Sequence, residues 1–202
     1  MKKKIFLGIV LSLFVAFFLL GTRFTAFDFK KPKESQSLFL AGNALAEAGT
    51  KEKFDYLSEQ RSSSCGLQRE TVLSYGDDSS IQGSCCSAMD LHRYQEQIGG
   101  LKKYSNLSVV PQDPYNIPVS LAKQLFDYQE SVQLTDNQQK IYDEAMKMSH
   151  EGGPCCCKCW RWTAFEGQAK YLITKHNFSA EQTAELWDLE DGCGGEGHEG
   201  HG

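Results

Sequence analysis

Four cysteines lie within five residues at Cys155-Cys156-Cys157-Lys158-Cys159. Gly152-Gly153-Pro154 precedes the segment, and Trp160-Arg161-Trp162 follows it. Neighbouring cysteines cannot all pair with one another, because a disulfide requires a particular Cα separation and torsion angle. Thiolates do bind soft metal ions such as Cu(I) and Zn(II). The density of sulfur in this segment therefore predicts a thiol-based metal or redox site.

A second pair, Cys85-Cys86, is a candidate second half of this site. If a helix begins at Cys85, then Met89 and His92 follow on the same face at i+4 and i+7. Thiolate, thioether and imidazole together suit Cu(I), although Met89 would also serve as a core residue and His92 as a solvent-facing one. The predicted metal ligands are Cys85, Cys86, Met89, His92, Cys155, Cys156, Cys157 and Cys159.

The conformation of the cysteine segment decides which of its sulfurs converge. In an extended chain Cys155, Cys157 and Cys159 share one side, whereas in a helix Cys155 and Cys159 share a face. Pro154 favours a helix start, since proline is common at the first helical position. Thiols at a helix N-terminus have a lowered pKa, so a helical start here would favour thiolates.

The six residues from Pro154 to Cys159 fit the pattern Pro-Cys-x-Cys-x-Cys and resemble the motif of exported bacterial proteins named for a PCYCGC sequence. The matching positions are Pro154, Cys155, Cys157 and Cys159. Cys156 and Lys158 replace the tyrosine and the glycine of that family. The resemblance implies an exported, metal-related protein, and it brings no enzymatic activity with it, since the family has none established.

The N-terminus predicts export. Three lysines precede an apolar run from Ile5 to Gly21, as in a secretory signal, and the run just reaches the roughly 17–25 residues of a membrane-spanning helix. We therefore predict a signal peptide or signal anchor over residues 1–24, with the lysines inside. An uncleaved anchor gives a single-pass membrane protein with an extracytoplasmic C-terminal domain, and a cleaved signal gives a secreted protein.

After this segment the pattern predicts a tether over residues 25–36, a helical cysteine-rich domain over 37–190 and a Gly/His-rich tail over 191–202. Helical spacing and capping residues predict helices over 37–48, 51–61, 86–98, 119–129, 135–151 and 160–175, with a last one from Ser179. Gly99-Gly100 is the expected stop of the third. Residues 67–84 are expected to be irregular and residues 104–118 extended. The predicted fold class is mainly α, as a single helical domain.

The chain has 21 Lys and Arg residues against 26 Asp and Glu residues, which disfavours nucleic acid as a partner. The leading interpretation is an exported, membrane-tethered protein that binds copper or zinc through thiolates and is not an enzyme. Its expected partners are the metal ion and the membrane, and the sequence does not identify a protein partner.

Two other interpretations remain open. One is a thiol–disulfide oxidoreductase that uses Cys156 and Cys159 as a Cys-x-x-Cys unit, although the βαβ pattern that accompanies a thioredoxin-like motif is missing. The other is a disulfide-stapled interaction domain without catalysis, since disulfides form and persist outside the cytoplasm.

Overall fold

The computed structural model describes residues 43–195, and over this range the protein is mainly α-helical, as predicted. Its helices are α1 (Lys51–Ser58), α2 (Arg69–Leu73), α3 (Leu91–Leu101), α4 (Val119–Ser131), α5 (Asp136–Met148), α6 (Trp160–His176) and α7 (Ala180–Leu189). A 3₁₀ turn, Lys102–Tyr104, follows α3. Strands β1 (Ser80–Gln82) and β2 (Asn116–Pro118) pair antiparallel, with Ile81 opposite Ile117.

Polar caps fix the starts of several helices. Thr135 and Gln138 form a capping box at α5, and Ser179 and Gln182 form another at α7. In each box the hydroxyl and the glutamine satisfy one free backbone N–H apiece. The end of α6 is set by Asn177, whose left-handed φ of 55° turns the chain out of the helix. The capping signals in the sequence therefore locate these helix ends closely.

Helix α6 is the centre of the core and packs against α2, α4, α5 and α7. Trp160, Phe165 and Leu172 bury their side chains along it. Where α6 crosses α4, Gly167 allows the two backbones to approach closely. A Cβ at Gly167 would overlap the carbonyl oxygen of Leu125 and lie 2.6 Å from the backbone nitrogen of Gln129.

We expect the substitution Gly167→Ala to lower the free energy of unfolding by about 2–3 kcal/mol, because the added methyl group meets rigid backbone. Gly99→Ala is the matched control, since a Cβ at Gly99 in α3 has no neighbour within 4 Å. Alanine is the better helix former, so Gly99→Ala should raise the same quantity by roughly 0.5–1 kcal/mol. Denaturant unfolding of both variants measures this, and equal effects would contradict the close approach of α4 and α6.

Helix α3 differs from its prediction at both ends. It begins at Leu91 rather than near Cys86, because the Asp90 side chain accepts a hydrogen bond from the backbone N–H of Arg93 at 2.8 Å and caps the helix there. It also continues through Gly99-Gly100 to Leu101. Gly100 is favoured within the helix because its Cα lies against the Leu189 side chain of α7, and a Cβ there would collide with that side chain.

Other parts of the chain also differ from their predictions. The segment 67–84, expected to be irregular, contains α2 and β1, and β2 ends the segment 104–118. Residues 45–48, expected to be helical, form a turn. The predicted signal or anchor, the tether and residues 196–202 of the tail lie outside the described residues. Within residues 43–195, no helix combines the length and hydropathy needed to cross a membrane.

Candidate metal centre

All eight cysteines lie in the described part of the chain, in four segments that connect the helices and strands. Cys65 precedes α2, the pair Cys85-Cys86 lies between β1 and α3, the segment 155–159 precedes α6, and Cys193 follows α7. None of the eight forms a disulfide. The fold therefore brings thiols from distant parts of the sequence to one place while leaving the segments that carry them non-helical.

Backbone hydrogen bonds join these four segments directly. The N–H of Cys65 donates to the carbonyl of Cys85 at 3.3 Å, and the N–H of Cys85 donates to the carbonyl of Gly192 at 2.9 Å. The N–H of Trp160 donates to the carbonyl of Leu67 at 2.9 Å, which ties the cysteine segment to the Cys65 loop. The positions of the thiols thus follow from a continuous backbone network.

The segment that carries Cys193 requires a glycine to make its backbone hydrogen bonds to the other segments. Gly194 has a φ of +80°, and a Cβ there would lie 2.5 Å from the carbonyl oxygen of Ser87. A side chain would be strained in this conformation and would also separate the two segments. Gly194 therefore lets Cys193 approach the Cys85-Cys86 segment, whose Ser87 N–H donates to the Cys193 carbonyl at 2.8 Å.

The thiols form one connected cluster. The shortest Sγ–Sγ distances are 2.7 Å between Cys65 and Cys86 and 2.9 Å between Cys156 and Cys193. Three further contacts join these two pairs, directly or through Cys85: Cys85–Cys86 3.5 Å, Cys86–Cys156 3.6 Å and Cys85–Cys193 3.8 Å. Cys155 and Cys159 lie 3.9 Å apart, and Cys155 and Cys157 lie within 4.8 Å of thiols of this group. Eight sulfurs at such separations can share a small number of soft metal ions.

Four sets of three thiols have sulfurs that all lie within 4.8 Å of one another. These sets are Cys65/Cys86/Cys157, Cys85/Cys155/Cys193, Cys86/Cys156/Cys193 and Cys155/Cys156/Cys157. Among residues 43–195 no set of four thiols meets the same limit. The arrangement therefore offers three-coordinate thiolate sites more readily than a tetrahedral one.

A buried positive charge lies beside the cluster. The Arg161 side chain, only 1% exposed, donates to the backbone carbonyls of Pro114 and Glu190. Its guanidinium stacks on the rings of Trp160 and Phe165 at 5.1 Å and 5.8 Å. Gly192 packs against it where a Cβ would collide.

The charge of Arg161 acts on the thiols. Burial tends to lower the pKa of the guanidinium, yet its attraction to Cys85, Cys155 and Cys159 raises that pKa above its ordinary value. A buried cation requires a compensating charge. The Asp191 carboxylate supplies part of that charge, and the thiols supply the rest when they are ionised, which is also the form that binds metal.

Two thiols ionise readily. Contacts with Cys155, then Cys193, lower the pKa of Cys85 from 9.0 to about 4, and the charge of Arg161 adds to this effect. Contacts with Cys159, then Cys193, lower the pKa of Cys155 to about 7. The cluster therefore holds thiolates at neutral pH before any metal binds.

The other perturbed thiols keep their protons longer. Burial is the largest cause that raises the pKa values of Cys86, Cys156 and Cys157. The contact with Cys155 is the largest cause for Cys159 and Cys193. Cys159 is the N-cap of α6; the hydrogen bond from the Arg161 backbone lowers its pKa there, while the contact with Cys155 and burial raise it.

The structure brings together all six predicted cysteine ligands, but neither Met89 nor His92 joins them. Met89 packs in a separate apolar cluster with Leu57, Tyr94, Ile98 and Tyr115. The His92 side chain is 83% exposed and lies 3.1 Å from Glu96. The expectation that Cys85, Met89 and His92 share one helical face depended on a helix that begins at Cys85, and that helix begins six residues later.

The conformation of the cysteine segment matches neither the extended nor the helical expectation. Pro154 does not start a helix, because α6 begins only at Trp160. The bends at residues 156–159 turn Cys156 toward Cys86 and Cys193, while Cys155 and Cys159 meet each other. All four thiols of the segment thereby reach the same cluster.

Three functional residues are additions to the predicted set: Cys65, Cys193 and Arg161. Cys193 lies in the predicted tail, yet residues 191–195 pack against the domain and Cys193 is 4% exposed. The glycines that flank it are the signal in the sequence for a close approach. Nothing in the sequence around Cys65 indicates that its thiol lies 2.7 Å from that of Cys86.

Fold and site together define a mainly α-helical protein with a clustered set of free thiols. Comparison of the chain with protein-family models, with curated proteins and with solved structures finds no match.

Proposed function

We propose that this chain is an exported, membrane-tethered protein that binds soft metal ions through thiolates, Cu(I) first and Zn(II) second. The observation that carries the proposal is the convergence of all eight cysteines on one cluster without a disulfide. Thiolates select soft ions of this kind. The lysines and apolar run of the predicted signal or anchor support export, and the resemblance to PCYCGC proteins agrees with it.

Two features favour Cu(I) over Zn(II). Structural Zn(II) sites take four ligands in a tetrahedron, whereas the close thiol sets among residues 43–195 contain three sulfurs each. Cu(I) is satisfied by two or three thiolates. A Cu(I) ion with three thiolates also carries a net negative charge, which the buried Arg161 stabilises.

The contacts give less support to the alternatives. Cys156 contacts Cys86 and Cys193, and Cys159 contacts Cys155, so the proposed Cys-x-x-Cys pair does not stand apart as a redox unit. The two shortest contacts, Cys65–Cys86 and Cys156–Cys193, are separate pairs and are the feature that favours a stapled domain. Against it, Cys85 and Cys86 each contact more than one other thiol.

The test is elemental analysis of the full-chain protein, purified without oxygen from cells supplied with copper and zinc. We expect stoichiometric metal with copper in excess of zinc. The double variant Cys157→Ser/Cys159→Ser should lose that metal, whereas His92→Ala should retain it because His92 lies away from the cluster. Full metal content in the double variant, or wild-type protein with four disulfides and no metal, would show that the proposal is wrong.

A further inference from the structure

Six of the eight thiols form an outer and an inner group of three each. The outer group is Cys65, Cys86 and Cys157, drawn from three different segments. Cys65 and Cys86 are exposed, and Cys157 is half-buried. An open cavity of about 420 Å³ is lined by Cys86 of this group and also by Cys85, together with Arg61 and Ser64. Solvent and dissolved ions therefore reach the outer group directly.

The inner group is Cys85, Cys155 and Cys193, and it also comes from three segments. Cys155 and Cys193 are 2% and 4% exposed, and the buried Cys159 lies 3.9 Å from Cys155. Arg161 interacts electrostatically with Cys85 and Cys155. The buried guanidinium therefore offsets part of the negative charge that thiolates, together with the Glu151 and Asp191 carboxylates near Cys193, bring to the inner group.

Two links join the groups: the Sγ of the outer Cys86 lies 3.5 Å from that of the inner Cys85, and the exposed Cys156 provides the second link. Its Sγ lies 3.6 Å from that of the outer Cys86 and 2.9 Å from that of the inner Cys193. These three sulfurs form a set of their own within 4.8 Å. An ion held by outer thiolates can exchange ligands one at a time through Cys156 without being released to solvent.

Resting on the proposed function, we propose that the cluster is a two-site Cu(I) centre. An ion enters at Cys65/Cys86/Cys157 and passes by ligand exchange, through Cys156 or directly from Cys86 to Cys85, to Cys85/Cys155/Cys193. The outer site exchanges its ion with the surroundings and the inner site retains it. The ion keeps its oxidation state of +1 throughout. It leaves the ligands of its carrier for protein thiolates, and each thiol that was still protonated releases its proton to solvent.

The experiment counts Cu(I) ions on the reduced full-chain protein by native mass spectrometry, before and after a competing Cu(I) chelator is added. Wild-type protein should bind two ions, of which the chelator removes one quickly. Cys65→Ser should retain the chelator-resistant ion, lose the exchangeable one and take up copper several-fold more slowly. Cys193→Ser should lose the resistant ion and keep an exchangeable one. Ser120→Ala, at an exposed position of α4 outside the cysteine segments, is the control and should behave as wild type.

The outcomes separate the two proposals. A wild-type protein that binds no Cu(I) overturns the proposed function itself. Saturation with a single ion, or loss of the same ion in Cys65→Ser and Cys193→Ser, overturns the two-site centre while leaving the proposed function in place. If circular dichroism shows that Cys193→Ser is unfolded, then Cys85→Ser, at a half-buried inner thiol, replaces it with the same expected loss.

Discussion

Loading the reduced full-chain protein with Cu(I) is expected to raise the midpoint of thermal unfolding by roughly 8–16 °C. The ligands come from four segments, between Cys65 and Cys193, and they converge only in the folded chain. Binding free energy is therefore coupled to folding. At free Cu(I) about 1,000 times the dissociation constant the gain is about 4.1 kcal/mol, and each kcal/mol shifts the midpoint by about 2–4 °C at this chain length.

The control for this prediction is the double variant Cys85→Ser/Cys155→Ser, which removes the two thiols whose pKa values are lowered. Its midpoint should change little when Cu(I) is added. Mg²⁺ should leave the wild-type midpoint unchanged, because this hard ion prefers oxygen ligands. Scanning calorimetry under anaerobic conditions measures the unfolding midpoint of the wild type with Cu(I), of the double variant with Cu(I) and of the wild type with Mg²⁺. An equal shift in the double variant would mean that copper stabilises the protein from another site.

Local signals in the sequence predicted most of the helices because their causes are local. The capping boxes at Thr135 and Ser179 need only three neighbouring residues, and such a box forms wherever the chain permits a helix. The start of α3 had a signal of the same kind in Asp90, which lies directly before the helix. Because this cap starts the helix at Leu91, Cys85 and Cys86 lie in the loop before it, and His92 points away from them.

The sequence predicted the kind of residue that forms the candidate site, but not all of the residues that belong to it. The density of cysteines in segment 155–159 identifies the chemistry without any knowledge of the fold. The inclusion of Cys65 and Cys193 depends on contacts between segments far apart in sequence, such as the hydrogen bond from Cys85 N–H to the Gly192 carbonyl. The burial of Arg161 depends likewise on Pro114 and Glu190. Periodicity and spacing describe neighbours along the chain, so they contain no information on such contacts.

The second large effect is expected from Arg161→Met. The substitution leaves the carbonyls of Pro114 and Glu190 without their donor and the buried thiolates without their positive neighbour. Removal of one partner from a buried charged network costs about 3–5 kcal/mol. Arg93→Met is the matched control, because Arg93 also donates to a backbone carbonyl, that of Asp188 at 2.7 Å, but its side chain is partly exposed. We expect Arg93→Met to lower the free energy of unfolding much less than Arg161→Met does.

The substitution Arg161→Met should also change how the free energy of unfolding depends on pH. The pKa of Cys85 in the folded protein is lowered from 9.0 to about 4, so its thiolate contributes stability that is present above about pH 9 and is lost as the pH falls toward 4. The contribution of Cys85 to the free energy of unfolding of the metal-free wild type should therefore rise between about pH 5 and pH 8. Burial raises the pKa of Glu190 well above its ordinary value, so this carboxyl contributes with the opposite sign. In Arg161→Met the Cys85 pKa is higher, and the rise contributed by Cys85 is smaller.

Thiolate absorbance followed through a pH titration, together with urea unfolding at each pH, measures both effects. Contacts with Cys155 are a larger cause of the lowered Cys85 pKa than Arg161 is, so the pKa of Cys85 in Arg161→Met should rise but stay below 9.0. Arg161→Lys retains a positive charge without the planar guanidinium that donates to both carbonyls. It should restore part of the thiolate titration but little of the stability. A thiolate titration in Arg161→Met identical to that of the wild type would show that the buried guanidinium does not act on the thiols, and that its role is confined to packing and to the two carbonyls.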